Sequence, residues 1–350
     1  MTGIALRHEE NLQPPPGHPL LGFRSAISPH VAELEGHILA WAERYAVLDN
    51  ARARDKLART RLGELVARAY PTILPARLEA VAGWFTWAFV IDDCYENDAG
   101  PYDEPAAQTL RVLVRELKPD ATHTRLDALL ADVWHRLAAG MSTAWRLRFT
   151  QHMAHFLAAF KYEALNRQVR HVPDLLGYQQ LRRASGGITP SLDLLEVATG
   201  QEVPGLLHEF EQARAMFNRA SDVVVWVNDI VSLRKELAAG ETTNGVLVLA
   251  EEHHVELPEA IDLAYALVAR QIEEFEQATS ELETLMSRWR GLEPETVDAV
   301  RTFTDGLRSW MRGNLDWSGN SDRYRNADGV LLSTGSSLIS PATPSLIEPH

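Results

Sequence analysis

Two groups of polar residues interrupt apolar stretches of this chain. The first is Asp92-Asp93-Cys94-Tyr95-Glu96-Asn97-Asp98, which follows the run from Trp84 to Ile91. If a helix continues through it, Asp92 and Glu96 share a face, with Asp93 three residues before Glu96. Like charges so placed repel one another and sit badly near the negative end of a helix dipole, a situation a cation relieves. Carboxylates with no nearby His or Cys ligands suit a hard ion, Mg²⁺ or Mn²⁺. The plainer reading is that the acids solvate a helix end and open a loop. The second group is Asn228, Ser232 and Glu236, at i, i+4 and i+8, forming one line down a helix after the apolar run Val223 to Val227. An amide oxygen, a hydroxyl and a carboxylate can chelate a divalent cation and leave positions for water or phosphate oxygens. Within an apolar helix such groups cost stability unless satisfied, although a solvent-facing stripe or a capping network is the alternative.

The elements that must carry these stripes are helices. Gly and Pro are sparse between about Ser28 and Trp317, and apolar residues recur there at helical spacing. The pattern predicts helices at about Pro29 to Tyr45, Arg52 to Ala69, Pro75 to Asp92, Ala106 to Leu117, Thr124 to Leu137, Thr143 to Arg170, Asp174 to Arg183 and Pro190 to Thr199. Further helices are expected at Leu206 to Ala238, Thr243 to His253, Leu257 to Trp289 and Glu293 to Asn314. There is no fixed-period repeat and no linker in the middle of the chain, so one all-α domain, residues 20–325, is expected. Residues 1–19 carry a Pro14-Pro15-Pro16 run and are expected to be flexible. Residues 326–350 turn to Gly, Ser, Thr and Pro without periodicity and are expected to be disordered.

Composition narrows the function. Among 350 residues, 34 Lys and Arg face 48 Asp and Glu, a formal charge of −14 that repels nucleic-acid phosphates. An anionic small molecule can still bind, given a local basic cluster or metal ions. The single cysteine, Cys94, excludes an intramolecular disulfide and reads as a small packing residue. His152, His155, His253 and His254 have no third ligand in view and read as surface or core histidines. No segment is long and apolar enough to span a bilayer, so a soluble, cytoplasmic, unprocessed protein is expected, without integral membrane association.

Taken together, the two stripes resemble those of the bacterial class I terpene synthases. Asp92-Asp93-Cys94-Tyr95-Glu96 resembles the family's aspartate-rich motif, and Asn228, Ser232 and Glu236, with Lys235 alongside, resemble its Asn/Ser/Glu metal triad. Glu96 stands where an Asp is commoner in the family, and Asp98 is the other candidate for the far end of the motif. Tyr178 to Gly187 resembles the segment that holds a diphosphate-sensing Arg, a linker and a helix-break effector carbonyl. The assignment is Arg182, Ser185 and Gly186, with Arg183 and Gly187 as the alternative register. Trp310 to Trp317, followed by Arg323-Tyr324, resembles the family's terminal helix and Arg-Tyr pair, and the whole resemblance runs from about Leu20 to Tyr324.

The resemblance implies a class I terpenoid synthase bundle around a central apolar cavity and a prenyl diphosphate substrate. It also implies three Mg²⁺ held from both sides, and often a homodimer. Arg182, Lys235, Arg323 and Tyr324 would then donate hydrogen bonds to the diphosphate as it leaves. The allylic cation needs a dry aromatic lining. Candidates are Trp84, Phe85, Trp87, Phe89, Phe156, Phe160, Trp226, Trp310 and Trp317, with Phe85, Phe89 and Trp310 favoured. Farnesyl diphosphate is the expected substrate and a cyclic sesquiterpene the expected product, with geranylgeranyl diphosphate as the rival. A chain-elongating prenyltransferase, which normally carries a second Asp-rich motif, and a non-catalytic helical binding protein are the remaining alternatives.

Overall fold

The computed structural model describes residues 12–48, 50–97 and 102–324, the side chains of residues 96 and 97 excepted, and every regular element among the described residues is helical. The helices are α1 (Pro19–Gly22), α2 (Val31–Arg44), α3 (Ala51–Thr60), α4 (Leu62–Ala69), α5 (Leu78–Asn97), α6 (Asp103–Val114), α7 (Arg125–Leu137) and α8 (Thr143–Val169). They continue with α9 (Leu175–Ser185), α10 (Ile188–Thr199), α11 (Gly205–His208), α12 (Glu211–Ala239), α13 (Gly245–His253), α14 (Leu257–Arg288) and α15 (Pro294–Asn320). Local chemistry sets many ends. Asn50, Thr124, Ser142, Asp174 and Asn244 each accept a backbone N–H of the first turn through a side-chain oxygen, a cap worth about 1 kcal/mol. Gly200 and Gly240 close α10 and α12 in the left-handed conformation.

Helix α6, expected at Ala106 to Leu117, spans Asp103–Val114, and four larger differences from the expectation bear on the site. The helix expected from Arg52 to Ala69 is two, broken at Arg61, whose φ is 56°. The indole N–H of Trp317 occupies the break, donating to the carbonyls of Thr60 (3.0 Å) and Arg61 (2.9 Å). The helix expected from Leu206 to Ala238 is also two, separated by Phe210 in an extended conformation. Helix α5 runs on past Asp92 to Asn97, so the acidic motif is helical and not the start of a loop. Helix α15 runs past Asn314 to Asn320, because its last two turns bury Leu315, Trp317 and Ser318.

Helix α12 is central, packing against α9, α10, α13, α14 and α15, while α5 packs against α2, α4, α7, α8 and α10. Both are buried on nearly all sides along their middle stretches. Val223 to Val227 are buried on α12, and Trp84, Phe85, Trp87, Val90 and Ile91 on α5. The polar stripes thus emerge from two buried helices, with α8, α9, α10 and α15 closing the space between them. In the segment expected to be flexible, a ring nitrogen of His18 lies 2.9 Å from the Tyr265 carbonyl, and the Tyr265 hydroxyl donates to the Leu12 carbonyl at 2.7 Å. Residues 12–19 therefore lie along α14. Residues 1–11 and 325–350 lie outside the described residues.

Candidate active site

Between α5 and α12 lies a cavity of about 210 Å³ whose lining changes character with depth. Its apolar part is made by Leu65, Phe85, Ala88, Phe89, Phe156, Ile188, Val224, Val225, Trp310 and Trp317. Its polar part carries Asp92, Glu163, Arg167, Arg182, Asn228, Ser232, Lys235, Glu236, Glu241, Arg323 and Tyr324. Five of the nine candidate aromatics face it: Phe85, Phe89, Phe156, Trp310 and Trp317. Trp310 stacks on Phe85 (centroids 5.9 Å apart, planes 22°), and Phe89 meets Trp317 edge to face. The other four are packed elsewhere: Trp84 on Trp87, Trp226 on Tyr178, and Phe160 between Phe156 and Tyr95.

The helix break lies at the wall of this cavity. Helix α9 ends at Ser185, Gly186 follows, and Gly187 turns the chain with φ 62° before α10 begins. Glycine is required twice. A Cβ on Gly186 would stand 2.8 Å from Val225 Cγ1, and one on Gly187 would combine the left-handed conformation with a 3.3 Å approach to Phe156. The Ser191 hydroxyl donates to the Gly187 carbonyl at 2.8 Å and accepts from the Trp84 indole at 3.0 Å, and the Tyr70 hydroxyl donates to the Ser191 carbonyl at 2.6 Å.

The duplicated arginines separate. Arg182 lines the cavity, where its Nε donates to Asp229 Oδ1 (2.8 Å), Nη2 to Asn228 Oδ1 (3.1 Å) and Nη1 to Ser185 Oγ (3.3 Å). Arg183 points away, held in a two-point pair by Asp222 (2.8 and 2.9 Å). Burial alone would favour loss of the Arg182 proton, but Asp229, Glu163 and Glu236 outweigh it and raise its pKa further, so the guanidinium stays charged. Asp229 is wholly buried and also accepts from the Tyr178 hydroxyl (2.6 Å) and the Gly245 N–H (2.7 Å).

The Arg-Tyr pair joins the two stripes. Arg323 Nη2 donates to Asp92 Oδ2 at 3.2 Å, its Nη1 lies 3.6 Å from Asp93 Oδ1, and its guanidinium lies 4.8 Å from the centre of the Phe89 ring. The Tyr324 hydroxyl accepts from Asn228 Nδ2 at 2.8 Å. Asp92 reaches the cavity, while Asp93 is fully buried behind it. The side chain of Glu96, and all of Asp98, lie outside the described residues. Ser232, Lys235 and Glu236 all line the cavity, and Asn244 Nδ2 donates to Glu236 Oε2 at 2.8 Å. Burial, with Asp229 nearby, pushes the Glu236 carboxyl up to about 7.

Three charged residues that line the cavity, Glu163, Arg167 and Glu241, were not among the candidates, and neither was the buried Asp229 behind them. Glu163 on α8 lies 4.0 Å from Arg182, and burial pushes its carboxyl up to about 8. Arg167, one turn further along α8, donates to Glu241 at 2.9 Å. Helix α8 mixes polar and apolar residues around its circumference, so neither residue stands out from its neighbours. For Asp229 the available signal is its place directly after Asn228 in an apolar stretch. His152, read as a bland histidine, pairs with the buried Asp193 at 2.7 Å outside the cavity.

The donors fit a hard divalent cation in kind, being an amide oxygen, a hydroxyl and carboxylates, two of which burial makes less acidic. Among the described residues, no group of three His, Cys, Asp or Glu side chains could hold a metal by itself. Nor is any helix there long and apolar enough to cross a membrane.

Residues 83–274 match the family described as terpene synthase family 2, C-terminal metal binding. The chain is 31% identical over 320 residues to pristinol synthase of Streptomyces pristinaespiralis, covering 89% of this chain and 86% of that one. It is 32% identical over 310 residues to the (+)-T-muurolol synthase ((2E,6E)-farnesyl diphosphate cyclizing) of Roseiflexus castenholzii, covering 86% and 91%. The crystal structure of linalool/nerolidol synthase from Streptomyces clavuligerus superposes with a TM-score of 0.77 at 26% identity, over 84% of this chain and 98% of that one.

Proposed function

Because the chain belongs to terpene synthase family 2, we propose that it is a lyase that ionises and cyclises a linear prenyl diphosphate, with farnesyl diphosphate as substrate and a cyclic sesquiterpene as product. The (2E,6E)-farnesyl diphosphate specificity carried in the name of the Roseiflexus relative supports the chain length. Residues 20–325 form the catalytic unit in this reading.

The single observation that carries the proposal is the polarity of the cavity. A charged mouth, with Arg182 held between Asp229 and Asn228, opens onto an aromatic floor of Phe85, Phe89 and Trp310. A diphosphate needs the first and a prenyl chain the second. Asp92, with Asp93 and Glu96, and the line of Asn228, Ser232 and Glu236 are the residues that would hold Mg²⁺, three ions in this reading. When bound, the metal supplies Lewis-acid neutralisation of the leaving diphosphate.

The remaining work falls to the chain itself. Arg182, Lys235, Arg323 and Tyr324 donate hydrogen bonds to diphosphate oxygens, favouring the charge that grows there as the carbon–oxygen bond breaks. To do so Arg323 exchanges Asp92 for the diphosphate, freeing the carboxylate. The Gly186 carbonyl, joined through Ser185 to Arg182, faces the carbon that becomes cationic. Aromatic faces at Phe85, Phe89 and Trp310 stabilise the migrating charge by about 0.5–2 kcal/mol each.

The test incubates purified protein with geranyl, farnesyl or geranylgeranyl diphosphate, in Mg²⁺ or in EDTA, and follows solvent extracts by gas chromatography and mass spectrometry. A cyclic product from farnesyl diphosphate in Mg²⁺ alone is expected. Consumption of only the twenty-carbon substrate overturns the chain length, coupling of two substrates would mark an elongating transferase, and no turnover overturns the proposal.

A further inference from the structure

We infer that the reaction ends with the addition of water, held by Asn314, so that the chain releases a terpene alcohol. The inference rests on the cyclase reading above and concerns the last step of that reaction. Asn314 lines the apolar half of the cavity, on α15 one turn beyond Trp310 and one turn before Trp317 and Ser318. Its residue surface is only 4% exposed. One end of its amide is used, Nδ2 donating to the Val224 carbonyl at 3.3 Å. The other end, Oδ1, accepts no hydrogen bond among the described residues, yet it is not sealed off from space as the fully buried unpaired atoms are.

The other polar side chain in this half of the cavity, Ser191, has its hydroxyl committed to Gly187 and Trp84. Val224 stands one turn before Asn228 on the same helix, so Asn314 lies below the level of the metal triad and above Trp310. An amide oxygen left dry in an aromatic cavity costs about 1–3 kcal/mol, and a water molecule recovers that cost. The bond to Val224 fixes which end of the amide faces inward.

A water donating one hydrogen to Asn314 Oδ1 turns its lone pairs toward the cavity interior. A carbocation formed there accepts one of these pairs, making a carbon–oxygen bond and an oxonium ion. The oxonium loses its second proton to the diphosphate released at ionisation, the nearest strong base, and a neutral alcohol remains. Asn314 favours addition over elimination by holding the nucleophile with its lone pairs against the cation, so that carbon–oxygen bond formation competes with loss of a proton from carbon.

The experiment runs the full-length wild-type protein with farnesyl diphosphate and Mg²⁺ in oxygen-18 water, with released diphosphate measured in parallel. Expected is an alcohol carrying oxygen-18 as the main product. Asn314→Leu, close in volume and without the acceptor, lowers the ratio of alcohol to hydrocarbon per diphosphate released by about tenfold, the worth of one hydrogen bond. Asn314→Ser, which keeps an acceptor, retains a larger ratio than Asn314→Leu and guards against a packing effect. Diphosphate release with only hydrocarbon from the wild type, or an unchanged ratio in Asn314→Leu, overturns the inference and leaves the cyclase reading standing. Absence of diphosphate release in the wild type brings down both.

Discussion

Replacing Asp229 with Asn tests whether Arg182 is held in place or merely happens to lie at the cavity wall. The carboxylate receives three donors: Arg182 Nε on one oxygen, and the Tyr178 hydroxyl and Gly245 N–H on the other. An amide has one oxygen. Facing it toward Arg182 leaves an NH₂ against Tyr178 and Gly245; the tyrosine can turn to accept, but the Gly245 N–H is orphaned. The buried guanidinium also loses its closest counter-charge. A charge-assisted hydrogen bond is worth about 1.5–3 kcal/mol and an orphaned buried donor about 1–3 kcal/mol. Together they predict a loss of about 3–5 kcal/mol, the range for breaking one side of a buried ion pair. Denaturant unfolding of the metal-free protein reads this directly, and turnover per folded molecule should fall at least tenfold as Arg182 shifts. Asp222→Asn is the matched control. It breaks the neighbouring pair to Arg183 at similar cost in stability, but leaves turnover per folded molecule near wild type because Arg183 does not reach the cavity. If Asp229→Asn stays within about 1 kcal/mol of wild type, or if the two variants lose turnover equally, the assignment of Arg182 is wrong.

Three further outcomes follow from the geometry. The Glu163 carboxyl, raised from an ordinary 4.5 to about 8, makes folding take up a proton between those values. Its contribution to stability is complete below about pH 4.5 and lost as the pH rises through about 8, so the metal-free protein should melt lower at about pH 8 than at about pH 5. Glu163→Gln should flatten that slope without abolishing it, since Glu236 adds to it with the same sign; an unchanged slope refutes the assignment. Trp310→Ala removes the ring stacked on Phe85 and edge-on to Tyr70 and should cost about 3–5 kcal/mol in unfolding experiments. It should also shift products toward early-terminated, acyclic species on chromatography, whereas Trp310→Phe keeps a larger cyclic fraction. Gly187→Ala should lose about 1–2 kcal/mol from the left-handed backbone alone, and its press on Phe156 should lower cyclic yield more than diphosphate release.

The sequence carried the helical class and the two stripes for one physical reason. Polar residues set at helical spacing inside apolar helices have few explanations, and Asn228, Ser232 and Glu236 on α12 are an extreme case. What escaped it depended on contacts between distant residues. Arg182 and Arg183 are adjacent and chemically identical, and only Asp229 and Asp222, two turns apart on α12, sort one inward and the other outward. The aromatics on α5 could not be sorted by periodicity because that helix is buried on almost every side, so Trp84 and Phe85 look alike until α8 and α15 are in place. The break at Arg61 was illegible for a similar reason. Arginine favours helix, and its left-handed conformation is held by a tryptophan 256 positions away.

That last contact bears on how the protein is born. Trp317 forms part of the cavity wall and also ties the hinge between α3 and α4, so the pocket is assembled from the first and last portions of the chain. The entropy of closing so long a loop must be met before any of its contacts reward it. A chain that stops short of Trp317 leaves the Thr60 and Arg61 carbonyls without this donor and the cavity without part of its wall. Closing the pocket and closing the fold are therefore one event, joined through a single indole.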